Sequence, residues 1–128
     1  MAIRIVQLGS PRIKEEGLRI GTVRRPPRGV PKHEFASRDF YDVWLPILAP
    51  SEELLKQGRA ARGEKDRQSF AKSYRQEMRR PDNSHVLDLL AALSHYTNFS
   101  VGCYCKDEQT CHRSALRTLL AERNASLV

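Results

Sequence analysis

The stretch Asn98-Phe99-Ser100-Val101-Gly102-Cys103-Tyr104-Cys105-Lys106-Asp107-Glu108-Gln109-Thr110-Cys111-His112-Arg113-Ser114-Ala115-Leu116-Arg117 holds all three cysteines of the chain. Its apolar run from Phe99 to Cys105 predicts a buried strand. The pairs Ala115/Leu116 and Leu119/Leu120 recur at helical spacing, which predicts a helix over about 112–123. Cys111-His112-Arg113 is then expected where the loop opens the helix. Unpaired amide N–H groups and the positive end of the helix dipole favour an anion there and lower the pKa of a nearby thiol.

Upstream, Ala2 to Leu8 alternates apolar and polar residues and predicts a first strand, and Leu18 to Val23 predicts a second. Pro26, Pro27, Gly29 and Pro31 break regular structure over 25–38, which is expected to be an ordered basic loop. The aromatic-rich segment Asp39–Leu48, with Trp44, is expected to pack against the core. Ser51 followed by Glu52 and Glu53 is a helix start, predicting a helix over 52–60. Phe70, Tyr74 and Met78, each four apart, predict an amphipathic helix over 65–79. Pro81-Asp82-Asn83-Ser84 is expected to break that helix, and Val86, Leu87, Leu89, Leu90 and Leu93 to form another.

Strands at both ends with helices between them predict one small layered α/β domain over 1–128, with a short, mainly parallel sheet flanked by helices. In such sheets ligands gather beyond the carboxyl ends of the strands. The loop Arg24–Gly29 and the loop Cys103–Arg113 are therefore expected to converge.

At 128 residues the chain suits a single core, and its 40% hydrophobic and 29% charged content exclude a disordered or collagenous class. No apolar stretch approaches the ~20 residues that cross a bilayer, and the amino terminus lacks a signal-peptide core. A cytoplasmic protein with no membrane partner is the expectation. Three cysteines cannot all pair within one chain, so free thiols are expected.

The net charge of +7 is uneven. Between Lys56 and Arg80 there are nine basic residues and three acidic ones, and Arg19, Arg24, Arg25, Arg28 and Lys32 form a second cluster. A phosphorylated ligand or nucleic acid is electrostatically suited to these regions, although a solvated helical face also explains the longer one.

The cysteine stretch admits four readings. Cys103 and Cys105 lie two apart, so in a strand they share one face and can be plain core residues. Cys103, Cys105, Cys111 and His112 are zinc-ligand types, but all fall within ten residues, and adjacent Cys111 and His112 are hard to aim at one ion. No metal or cofactor is expected on that ground. A nucleophile or redox reading makes Cys111 the reacting thiolate, with Cys105 or Cys103 as a resolving thiol. The spacing is neither Cys-x-x-Cys nor that of a phosphatase loop. An anion-binding reading uses the amides near Cys111 with Arg113, Arg24 and Arg28, unless Arg113 simply pairs with Asp107 or Glu108.

Cys103, Lys106-Asp107 and Cys111-His112-Arg113-Ser114 resemble the carboxyl-terminal signature of the domain of unknown function 488 (YeaO-like) family. Arg24, Pro27, Arg28 and Gly29 are similar to another of its segments, in which an acidic residue and a tryptophan are replaced here by Val23 and Pro26. Asp42, Trp44, Leu45 and Leu48-Ala49-Pro50-Ser51 match its next block, and Phe70, Tyr74 and Arg75 its following helix. The resemblance implies a small cytosolic α/β domain whose marked positions are the arginines and the Cys-His-Arg group. It supplies no reaction.

Together these readings predict binding of a phosphorylated or other anionic ligand, a small molecule or nucleic acid, at Arg24, Arg28, Gly29, Cys103, His112 and Arg113. The alternative is a thiol-dependent enzyme or redox sensor in which Cys111 reacts.

Overall fold

A computed structural model describes residues 1–128. Four strands, β1 (Ile3–Gln7), β2 (Leu18–Gly21), β3 (Val43–Trp44) and β4 (Phe99–Cys103), form an all-parallel sheet in the order β1-β4-β2-β3. The helices are α1 (Glu52–Ala60), α2 (Gly63–Met78), α3 (Pro81–Leu93) and α4 (His112–Glu122). The architecture is the expected mixed α/β layering, with β4 returning to the sheet between the two amino-terminal strands.

Register follows from the apolar pattern. Val101 of β4 lies opposite Ile5 of β1 and Ile20 of β2, and every residue of β4 is buried, which explains its lack of charged residues. At Gly102 an added Cβ would stand 2.7 Å from the Val6 carbonyl oxygen, so only glycine lets β1 approach here. Regular pairing stops at Cys103 rather than Cys105, and the last two residues of the apolar run turn into the loop.

The main core joins Ile3, Ile20, Phe99 and Val101 of the sheet to Leu54, Tyr74, Leu87 and Leu116, one from each helix. A second apolar cluster, Leu8, Val23, Tyr41, Cys103 and Cys111, sits at the carboxyl ends of β1, β2 and β4. Cys103 and Cys111 are thus packed residues as well as candidate site residues. Ser51 caps α1 as expected, its Oγ accepting from the Leu54 amide at 3.2 Å.

Three expectations change. The helix ends before Pro81 as expected, but Pro81–Ser84 is no connector: it forms the first turn of α3, where the missing proline N–H has no intrahelical partner to lose. Trp44 is not core: it lies on the edge strand β3, 43% exposed, with its indole N–H donating to the Val23 carbonyl at 2.7 Å. Arg19 is not part of a surface cluster. It is wholly buried, paired through Nε and Nη2 with the two carboxylate oxygens of Glu16 at 2.6 and 2.9 Å.

No helix is long and apolar enough to cross a membrane.

Candidate functional site

The loop after β2 and the loop after β4 meet over the carboxyl end of the sheet and enclose one side of a cavity of about 380 Å³. Val23, Arg24 and Arg25 come from the first loop; Cys103, Tyr104, Cys105, Thr110, Cys111 and His112 come from the second. Parallel strands place both loops at the same end of the sheet, which is why they converge. The opposite wall is helical, with Leu55, Gly58 and Arg59 of α1 and Phe70 of α2.

All three cysteines are free thiols, Cys103 and Cys111 buried and Cys105 exposed. Cys103 Sγ lies 3.8 Å from Cys105 Sγ. Cys111 caps the amino terminus of α4 with no side-chain capping bond of its own, and its Sγ lies 3.6 Å from Nδ1 of His112. The other ring nitrogen, Nε2, is 2.9 Å from the Thr22 carbonyl oxygen. A carbonyl only accepts, so Nε2 carries the proton and Nδ1 is directed at Cys111. The ring of Tyr74 packs at 5.3 Å from the imidazole, while its hydroxyl donates to the Leu48 carbonyl at 2.6 Å.

This arrangement separates the thiols electrostatically. Hydrogen bonds from Cys103 and Cys105 hold the Cys111 thiol far below its ordinary value; burial opposes them, and the hydrogen bond and charge of His112 add to them. Cys103 is pushed far up by its hydrogen bonds with Cys105 and Cys111 and by burial. Cys105 is raised too: its bond with Cys103 lowers it, but Cys111 and burial outweigh that. Cys111 is the thiol with an imidazole beside it, which favours its thiolate over those of the other two.

The arginines divide. Arg24 lines the cavity, with Nε and Nη2 donating to the carbonyls of Pro50 and Ala49 at 3.0 and 3.1 Å. Arg25 lines it as well and pairs with Glu52 at 2.9 Å on the surface. Arg28 and Gly29 are exposed and do not contribute to the cavity wall. Arg113 is buried behind the cysteine loop, donating through Nη2 to the Cys105 carbonyl at 2.6 Å, and its Nε has no partner. It pairs with neither Asp107 nor Glu108; Arg117 takes Glu108 instead, at 2.7 Å.

Donor atoms of Cys103, Cys111 and His112 lie within 4.8 Å of one another, so folding brings together groups of the type that a soft divalent cation takes, despite the crowded spacing. The thiols nevertheless face an open cavity, and Nδ1 of His112 has the Cys111 sulfur for a partner.

The family model described as the active DUF488-N3 subclade matches residues 3–124. The chain belongs to this family. No curated protein and no solved structure matches it. The DUF488-N3 match spans every strand and helix, so both loops and both cavity walls fall within the family domain.

Several wall residues were missed in the sequence. Gly58 carried a signal, because a glycine inside a helix marks a close approach: an added Cβ would lie 2.9 Å from the Phe70 ring. The Thr22 carbonyl carried none, since any residue supplies a backbone acceptor.

Proposed function

We propose that this DUF488-N3 protein is a thiol-dependent enzyme acting on an anionic substrate, with Cys111 as nucleophile and His112 as its proton partner. The observation that carries this reading is the Cys111–His112 pair, 3.6 Å apart and oriented through Thr22, at the floor of a cavity whose wall includes Arg24, Arg25 and Arg59. A base oriented by a third group is the arrangement that activates a nucleophile.

The step is a nucleophilic substitution. The thiol proton passes to Nδ1, the sulfur forms a bond to the electrophilic atom, and the bond to the leaving group breaks as that group takes the proton from Nδ1. A nucleophile from solvent then displaces the sulfur and returns a proton to it. Arg24 and its neighbours attract and orient the anion, the role first assigned to a wider set of arginines. Arg113 supports the site from behind by fixing the loop at Cys105.

Alkylation by iodoacetate and by neutral iodoacetamide, followed residue by residue with mass spectrometry, tests the reading. The expected result is preferential modification of Cys111 and a rate ratio favouring the anionic reagent, which falls in Arg24→Gln/Arg59→Gln protein. Preference for the neutral reagent, or preferential modification of Cys105, overturns it.

A further inference from the structure

We propose that the substrate is a single strand of nucleic acid, laid along α2 with one nucleotide turned into the thiol cavity. The inference deepens the proposed function and rests on it for the chemistry, but the binding surface stands on separate observations.

Three depressions lie in succession beside α1, α2 and the cysteine loop. The cavity shares Gly58, Phe70, Thr110 and Cys111 with a narrower cleft that adds Arg67 and Ala71. That cleft shares Ala71 with a shallow groove on α2 formed with Lys72, Arg75 and Arg79. Their linings contribute Arg59 at the cavity, Arg67 at the cleft, and Lys72, Arg75 and Arg79 toward the end of α2. From Arg67 to Arg79 the helix advances about 18 Å at ~1.5 Å per residue. A small anion held in the cavity leaves most of this strip unused, whereas a chain of phosphates covers it.

The acidic residues of this region leave part of the strip unpaired. Glu77 turns to the start of α1, accepting from the Ser51 amide at 3.0 Å, and Asp66 accepts from the Arg62 amide at 2.8 Å. Arg67 and Arg75 are paired with Glu64 at 3.2 Å and Glu122 at 2.8 Å, in surface pairs that contribute ~0–1 kcal/mol, so a bound phosphate competes with those carboxylates. Lys72 and Arg79 have no acidic partner within 4.0 Å.

The cavity itself suits a base. Its volume of about 380 Å³ falls in the range of small-molecule pockets, and Leu55, Phe70 and Tyr104 give it apolar and aromatic walls on which any base can stack. The cysteines form its floor, beyond the reach of a base held inside a duplex, so the bound form is an unpaired strand.

The test is fluorescence anisotropy of a labelled, mixed-sequence single strand of about 12 nucleotides, within the site sizes of such grooves. Tight binding at low salt is expected, with log affinity falling against log salt at a slope of about −2 or steeper, as three or more phosphate contacts require. Lys72→Glu/Arg79→Glu protein, melting like the parent, should bind about tenfold more weakly or worse, as loss of phosphate contacts requires. Saturating strand should also slow alkylation of Cys111. Absent binding at low salt, affinity indifferent to the double substitution, or a bound strand that leaves Cys111 unprotected each overturns the proposal. Equal binding of a phosphopeptide of the same length overturns it as well. An unreactive Cys111 in the free protein, with strand binding intact, removes the thiol chemistry alone; a reactive Cys111 without strand binding removes the track alone.

Discussion

Arg19 and Glu16 form a buried ion pair at the start of β2, with Arg19 fully enclosed and its Nη1 also donating to the carbonyls of Ser10 and Asp39 at 2.7 and 2.8 Å. Ser100 on the central strand donates to the same Glu16 carboxylate at 2.7 Å. One guanidinium thus ties the connection after β1 and the segment before β3 to the middle of the sheet.

Arg19→Met should destabilise the fold by about 3–5 kcal/mol in chemical denaturation, because it leaves a buried carboxylate without its counter-charge. Replacing both residues by methionine should recover part of that loss. Recovery of nothing would show that the packing of the pair, rather than its charge, holds the three segments.

Acid should weaken the same region. Burial pushes the Glu16 carboxyl up, but the hydrogen bonds from Arg19 and Ser100 and the Arg19 charge outweigh it and hold the group below its ordinary 4.5. A depressed folded pKa adds stability above the unfolded value and loses it as pH falls through the folded one. Asp42 acts in the same direction, held down by Arg12 and the Arg19 amide against the opposing effect of burial. Denaturation at a series of pH values should therefore show stability decreasing below about 4.5, the ordinary range of these carboxyls, and Glu16→Gln should flatten that decrease.

His112→Asn should raise the pH midpoint of Cys111 alkylation, because it removes the hydrogen bond and charge that His112 adds to the lowering of that thiol. Tyr74→Phe, which keeps the ring beside His112 but frees the Leu48 carbonyl, should cost about 1–3 kcal/mol of stability without a matching change in Cys111 reactivity. A large reactivity change in Tyr74→Phe would place the hydroxyl in the chemistry.

Arg113→Leu should loosen the cysteine loop, raising hydrogen exchange over residues 105–110 and speeding modification of Cys105, because the carbonyl that Arg113 holds is released. Arg28→Ala should change neither quantity, since Arg28 stands outside the cavity wall. Equal effects of the two substitutions would mean that the exposed loop after β2 reaches the site.

Much of this was readable because the signals are local. The mainly apolar run of β4, the Ser51 cap and the four-residue spacing of Tyr74 and Met78 are each set by neighbours within one turn or one strand. Convergence of the two loops followed from parallel topology alone. Trp44 misled because its apolar ring finds a hydrogen bond at a sheet edge instead of a place inside. Arg19 misled because a positive charge reads as surface, although Glu16 three residues earlier offered the partner. The division among Arg24, Arg28 and Arg113 depends on which backbone carbonyls come near in the fold, and side-chain identity does not encode that.

The account turns on the ionisation of Cys111, and residue-resolved alkylation of the intact protein across pH measures it directly. The rate at Cys111 should rise with a midpoint well below the ~8.5 of an ordinary thiol, while Cys103 stays unreactive and Cys105 titrates above the ordinary value. A Cys111 midpoint at or above that value, or a lower midpoint at Cys105, would contradict the assignment of Cys111 as the nucleophile.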